Sequence, residues 1–421
     1  MSVWTATCRL LAKHLATGER LDQLLETLPR QLSAEERRRA RHLLYGTVRH
    51  FQRLDGLVLR HVVRTPRPGL RAVLAMAAFE LSEHPEEAAR IVHHWVGVAR
   101  ECTSAGEARL VNAVLRKLPA TLAEEAAQEP NGIDELARRF SHPTWLVRRW
   151  MDAFGGDAVR RLLEWNQTPA PVHARVSGGR PTGTALPDYF VPTPWTGFFR
   201  LERLDWAQVE AMLGRGEIYL QDPATSLAPG LLDARAGESV LDLCAAPGGK
   251  AFQLAERVDP AGRVIAVDLP GPRLERLRRN AGARASLPVT VFAADVCGLA
   301  PERFADAGLP TTFDAALLDA PCSNTGVLRH RVDVKRRLKP DDLVGLSRLQ
   351  SEMIRAAARV VRPGGRLVYS TCSLEAEENE GVVQAFLEGA GGEWALERAV
   401  HARPWIDACD GAGAFLLRRS G

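Results

Sequence analysis

From residue 239 onward, short apolar runs alternate with amphipathic helical segments. That alternation restricts the C-terminal half of the chain to a parallel sheet covered by helices on both faces. Strands are expected at residues 239–243, 263–267, 289–293, 313–318 and 366–369, with helices at 249–258, 273–281 and 342–361 between several of them. Two last segments, 394–400 and 413–418, would add antiparallel strands at one edge. The first 120 residues follow a helical period instead. Leu21, Leu24, Leu25 and Leu28 share one face, Ser33 with Glu35 and Glu36 opens a second helix, and Pro66 and Pro68 stop the next segment. Further apolar runs at 70–81, 88–98 and 108–118 predict an all-α bundle of about six helices. Residues 121–165 are again helical, and 169–196, with six prolines, read as loops and edge strands. The expected α/β chain thus has three parts: the all-α bundle at 1–125, linker helices with a small α+β subdomain at 126–230, and the helix-covered sheet at 231–421.

Composition narrows the class. With 46% hydrophobic and 25% charged residues, the chain is of globular and not disordered type. Its most apolar stretch, 72–79, is eight residues long between Arg71 and Glu80, too short to span a bilayer. Arg9, Lys13 and Glu19 interrupt any secretory h-region, so a cytoplasmic address is expected. The seven cysteines form no CxxC pair, which argues against a disulfide framework or a zinc site. Charge is uneven: residues 1–120 hold 19 Lys and Arg against 12 Asp and Glu, the remainder 36 against 39. A basic N-terminal third, arginine-rich throughout, suits a polyanionic partner such as nucleic acid.

The chemistry gathers at the strand ends. VLDLCAAPGGK (240–250) is a strand running into small residues and then a helix, a turn that lets the backbone pass close to a nucleotide-like ligand. It is not a P-loop, because Cys244 stands where that motif needs glycine and Ala251 replaces Ser or Thr. Asp268 closes the second strand, where a carboxylate can accept from ribose hydroxyls. Asp295 closes the third, within reach of an adenine edge, and Asp319 closes the fourth. Two cysteines sit just past strand ends, Cys322 in DAPCSNTG and Cys372 in YSTCSLEAEENE. Two thiols beside a cofactor turn suggest covalent chemistry on an electrophilic ring.

These motifs, with QDPATS (221–226) and RHRVDVKRR (329–337), resemble the Sun-type (Fmu-type) ribosomal RNA cytosine-5 methyltransferases over nearly the whole chain. LLYGTVRHFQRLD (43–55) and LVNAVLRKL (110–118) resemble that family's NusB-like RNA-binding domain, and FSHPTWLVRRW (140–150) its inter-domain segment. The chain departs from the family pattern at Ser177 and Arg336. The resemblance implies a Rossmann-like methyltransferase domain using S-adenosylmethionine, held by Cys244, Ala245, Ala246, Pro247, Gly248, Gly249, Lys250, Asp268, Asp295 and Asp319, with no metal. It implies Cys372 as nucleophile, Cys322 as the thiol assisting release, and 5-methylcytosine in small-subunit ribosomal RNA as product, formed by a monomer.

Carbon 5 of cytosine is a poor nucleophile until a thiolate adds at carbon 6, so the implied roles are chemically coherent. Chemistry alone leaves open which thiol attacks. Asp319 can share a proton with ring nitrogen 3, and Lys250 either orients that carboxylate or caps the turn. A helix expected at 374–387 would favour a Cys372 thiolate through its dipole, with Glu375, Glu377 and Glu378 stabilising the same helix end. Arg329, Arg331, Lys335, Arg336 and Arg337 are the expected phosphate contacts, or else a solvated helix face. The readings that compete are a noncatalytic RNA-binding assembly factor and the same chemistry on transfer RNA.

Overall fold

Helix α5 (Pro68–Glu83) is apolar all round, and it becomes the buried axis of a helical bundle. Every residue from Ala72 to Phe79 is at most 3% exposed. Around it pack α1 (Val3–Thr17), α2 (Leu21–Glu26), α3 (Ala34–Arg49), α4 (Phe51–Leu59), α6 (Ala88–Cys102) and α7 (Ala105–Ala126). Capping boxes at Ser33 with Glu36 and Ser104 with Glu107 start α3 and α7, each satisfying two orphan backbone donors. The computed structural model describes residues 2–179, 186–203 and 205–421. Part of the expected loop stretch, 180–185, lies outside them.

The described residues group into two compact units where the sequence suggested three parts. The first comprises Met1–Pro169 and Leu328–Leu338, so the linker helices α8 (Gly132–Arg139), α9 (Thr144–Phe154) and α10 (Gly156–Gln167) belong with the bundle. Helix α7 runs on through Pro119, past the expected end at residue 118. Burial of Leu118, Thr121 and Leu122 on one face outweighs the hydrogen bond that proline removes.

Within the basic run 329–337, Arg329 and Lys335 are neither phosphate contacts nor part of a solvated face, because they are buried in this helical unit. Val332 is fully buried in the bundle's apolar core. Arg329, also buried, stacks 3.9 Å over the Trp165 ring and donates to the Pro169 carbonyl at 2.7 Å. Lys335 is buried and donates to the Arg49 carbonyl at 2.8 Å. Arg331 pairs with Asp22, and Arg337 with Asp333. Arg336 keeps an exposed residue surface while its guanidinium lies 4.2 Å over Phe51.

The second unit, Ala170–Val327 with Lys339–Gly421, holds two sheets. The smaller is antiparallel in the order β2-β3-β1-β4: β1 (Val172–Val176), β2 (Phe190–Pro192), β3 (Phe198–Leu201) and β4 (Ile218–Leu220). The larger has seven strands: β5 (Ser239–Leu243), β6 (Arg263–Asp268), β7 (Val289–Ala293), β8 (Phe313–Asp319), β9 (Val361–Thr371), β10 (Trp394–Ala402) and β11 (Ala412–Arg419). Their order is β10-β11-β9-β8-β5-β6-β7, parallel from β9 to β7, with β11 and β10 antiparallel at the edge. Two apolar clusters cover its faces, one around Leu241, Ile265 and Tyr369, the other around Val240, Phe252 and Val368. Alternate residues of β5 thus serve opposite cores. Strand order reverses between β5 and β8, and the crevice of such a sheet lies outside the carboxyl ends of the strands at that reversal. Among the described residues, no helix is long and apolar enough to cross a membrane.

Candidate active site

The turn after β5 is held from three sides. Residues 244–248 carry a cis Ala246–Pro247 bond and positive φ at Cys244 (61°) and Gly248 (114°). A Cβ at Gly248 would sit 2.5 Å from the Phe252 ring, so only glycine lets the turn fold back onto its own helix. From the small sheet, Tyr219 donates to the Pro247 carbonyl at 3.1 Å, and burial pushes its phenol up to about 12, which keeps the donor protonated. Asn280 donates to the same carbonyl at 2.8 Å, and Arg273 to the Ala246 carbonyl at 2.7 Å.

Asp268, at the end of β6, is 7% exposed and accepts from the Ala246 and Leu269 backbone amides, each at 2.9 Å. Its carboxylate therefore also shapes the turn. Asp295 is exposed, and one oxygen caps the following turn through the Cys297 amide at 3.0 Å. One of its two oxygens is thus used as a cap, which leaves the other for a ligand. Burial pushes the Cys244 thiol up, aided by Asp268 and Asp319.

Asp242 was passed over in the sequence. It is fully buried in β5, both its oxygens lack a hydrogen-bond partner, and burial together with nearby Asp319 holds its carboxyl well above the usual range. The signal was present as an acid inside an otherwise apolar strand, VLDL.

The candidate reacting groups assemble at the ends of β8 and β9. Lys250 Nζ lies 2.5 Å from Asp319 Oδ2, and Ser370 donates to Asp319 Oδ1 at 3.0 Å, so Lys250 does orient the carboxylate. Burial opposes the lysine charge, but Asp319 and the nearby Cys372 hold its value above the ordinary one. Cys322 Sγ lies 3.2 Å from Cys372 Sγ, and both are free thiols. The hydrogen bond between them and its burial hold the Cys322 thiol well above its usual range, so Cys322 stays protonated. Cys372 is the more exposed and donates to Asn324 Oδ1 at 3.4 Å, while Asn324 donates to the Cys322 carbonyl at 2.7 Å. A cavity of about 50 Å³ opens between Lys250, Asp319, Cys372 and the turn at 410–414.

One expectation fails here. No α-helix begins beside Cys372: a short turn at Ala376–Glu378 comes first, and the helix is Glu380–Gly389. Positive charge at the thiol comes from Lys250 and not from a helix dipole. Nor do the three glutamates share a solvated helix end, because Glu375 and Glu378 are buried at 3% and 0% exposed.

The strand ends fit S-adenosylmethionine. Its ribose hydroxyls and adenine amine need acceptors, and its sulfonium and ammonium need negative charge. Asp268 and Asp295 supply the first at neighbouring strands, and Asp319 adds anionic character. Asp242 leaves two buried oxygens without a partner in β5. Leu269, 56% exposed just after Asp268, offers an apolar surface for a purine face.

Residues 229–404 match the family described as 16S rRNA methyltransferase RsmB/F, and residues 5–119 match the NusB family. The "Probable ribosomal RNA small subunit methyltransferase B" of Bacillus subtilis (strain 168) is 31% identical over 379 residues, 85% of this chain and 81% of the relative. The "Ribosomal RNA small subunit methyltransferase B" of Thermus thermophilus is 35% identical over 381 residues, covering 88% and 83%. A solved methyltransferase homolog protein from Pyrococcus horikoshii aligns with 69% of this chain and 100% of its own at 26% identity, with a TM-score of 0.57. The chain belongs to the RsmB/F family of 16S rRNA methyltransferases, and is an RNA methyltransferase whose methyl donor is S-adenosylmethionine.

Proposed function

We propose that this enzyme methylates carbon 5 of a cytosine in small-subunit ribosomal RNA through a covalent intermediate on Cys372. The observation that carries the reading is the pair of sulfurs 3.2 Å apart beside the Lys250–Asp319 ion pair. Methyl transfer to a nitrogen or a ribose oxygen has no use for two thiols, whereas carbon 5 needs a nucleophile at carbon 6 first.

The Cys372 sulfur bonds to carbon 6, and its proton passes by way of Asp319 to ring nitrogen 3. The carbon 5–carbon 6 electron pair then makes carbon 5 nucleophilic. Lys250 fixes Asp319 for this transfer. Bound S-adenosylmethionine, held by residues 244–250 with Asp268, Asp295 and Asp319, supplies the electrophilic methyl group. Cys322, protonated beside the departing sulfur, gives Cys372 its proton and takes the one leaving carbon 5. The double bond re-forms, and Asp319 recovers the proton from nitrogen 3. One proton is released per methyl transferred.

We assign RNA binding to the helical unit and methyl transfer to the unit that holds the seven-stranded sheet, in a monomer acting in the cytoplasm. The target base must be unpaired or flipped to reach these thiols. The test is methyl transfer from labelled S-adenosylmethionine to unmodified ribosomal RNA, followed by nucleoside mass spectrometry. Label in 5-methylcytosine is expected; label at a ring nitrogen or ribose oxygen overturns the chemistry, and label in transfer RNA alone overturns the substrate.

A further inference from the structure

One buried carboxylate joins the two loops that carry the thiols. Glu378 is 0% exposed, and four uncharged donors converge on its two oxygens. Oε1 accepts from the Ser323 backbone amide at 2.8 Å and from Gln350 Nε2 at 2.9 Å. Oε2 accepts from the Ser373 hydroxyl at 2.5 Å and from the Ser323 hydroxyl. Its backbone carbonyl takes the Tyr369 hydroxyl at 2.5 Å. Ser323 directly follows Cys322, and Ser373 directly follows Cys372.

A carboxylate is costly to bury unless its lone pairs are filled, and charge-assisted hydrogen bonds are the stronger kind. Glu378 meets that condition by tying the neighbour of one thiol to the neighbour of the other. The loops also meet where the Gly326 amide donates to the Cys372 carbonyl at 2.9 Å and the Leu374 amide to Thr325 Oγ1 at 2.9 Å. Those bonds fix the backbone at Cys372 and at Leu374 against residues further along the Cys322 loop. The bonds to Glu378 act one residue from each sulfur.

We propose that Glu378 is a positioning residue that holds Cys322 and Cys372 at reacting distance, so that the second thiol is in place when the first must leave. The role rests on the reading that both thiols serve methyl transfer, but their proximity can be measured without it. Diamide joins two close thiols: both S–H bonds break, an S–S bond forms, and two protons and two electrons reduce the azo bond to a hydrazine. The rate of this reaction at a fixed diamide concentration, followed on the full chain by mass spectrometry of the Cys322–Cys372 peptide pair, reads how closely the sulfurs are held.

Glu378→Ala is expected to slow cross-linking by about tenfold or more, since held geometry raises effective concentration by orders of magnitude. Glu378→Gln should stay near the wild-type rate, because its carbonyl keeps the Ser323 amide and Gln350 while its NH₂ group donates to hydroxyls that can turn to accept. That rescue separates a hydrogen-bonded clamp from a need for charge. Ser373→Ala, which leaves the buried site filled, should slow the reaction about threefold even if Glu378→Ala does not fold. Wild-type cross-linking rates in folded Glu378→Ala, or in Ser373→Ala, overturn the proposal whatever methyl transfer does. If the wild type cross-links faster than the variants yet methylates no cytosine, the clamp stands and the covalent mechanism falls.

Discussion

Lys250, in the first turn of the helix after β5, reaches across to Asp319 at the end of β8, with 2.5 Å between Nζ and Oδ2. The contact ties the turn after β5 to the strand that leads to Cys322. Replacing Lys250 with Met should reduce methyl transfer by at least about a hundredfold, the scale for losing one preorganised electrostatic partner. It should also cost about 1–2 kcal/mol of stability, because Asp319 is left partly buried and unpaired. A lysine held above its unfolded value by an ionised carboxylate stabilises the fold while that carboxylate is charged, and loses the effect as pH rises through the folded value. The gap between wild type and variant in urea unfolding should therefore be constant from neutrality up to about pH 10 and close above it. A gap that closes between neutrality and pH 9 would contradict this assignment.

The roles of the two thiols separate by trapping on RNA containing 5-fluorocytosine, which has no proton to lose from carbon 5. Wild type and Cys322→Ala should both form a denaturation-resistant adduct, and Cys372→Ala none. On ordinary RNA, Cys322→Ala should accumulate a methylated adduct that wild type releases. The opposite pattern would exchange the two sulfurs in the mechanism.

Gly326 lies where the loops touch. A Cβ there would stand 2.5 Å from the Gly411 carbonyl oxygen and 2.7 Å from that of Cys372, both backbone atoms that cannot swing aside. Gly326→Ala should cost about 1–3 kcal/mol in thermal or chemical unfolding and move the Cys372 backbone. Adduct formation should slow by more than about tenfold, since sub-ångström placement governs such steps. A variant with wild-type trapping kinetics would show that the loop tolerates displacement.

Lys335 gives a pH signature for the helical unit. Its ammonium is buried near Arg49, and burial first, then that like charge, hold it well below its ordinary value. The unfolded chain therefore binds the proton that the folded chain releases, and stability should rise with pH up to about 10.4. Lys335→Met should flatten that rise in the thermal midpoint of the helical unit, and be neutral or stabilising near pH 7. A rise of the same steepness in the variant would assign it to other groups.

The sheet was legible because alternation of apolar runs is dictated by burial on both faces. The helix at Gly249–Val258 and the strand at Ser239–Leu243 fall where the pattern set them. Cys322, Cys372 and Asp319 could be brought together on paper since neighbouring parallel strands end side by side. What failed was the meaning of polar runs. LEAEENE has helix-forming composition, yet Glu378 and Asn379 are consumed in bonds to the Cys372 loop, and the α-helix starts only at Glu380. The run 329–337 looked destined for phosphate, but whether Arg329 and Lys335 meet phosphate or protein carbonyls depends on partners at Pro169 and Arg49, distant in sequence. Local pattern carries no information about such partners.

Val332 sits wholly inside the helical bundle although more than 150 residues of the other unit separate it from Pro169. A ribosome making this protein exposes the bundle's main helices long before it delivers the segment that fills their core. The N-terminal unit must therefore wait, incompletely packed, until most of the sheet has emerged, and no truncation ending before residue 338 can yield it whole. Synthesis itself thus couples completion of the helical half to the arrival of the chain just after Cys322.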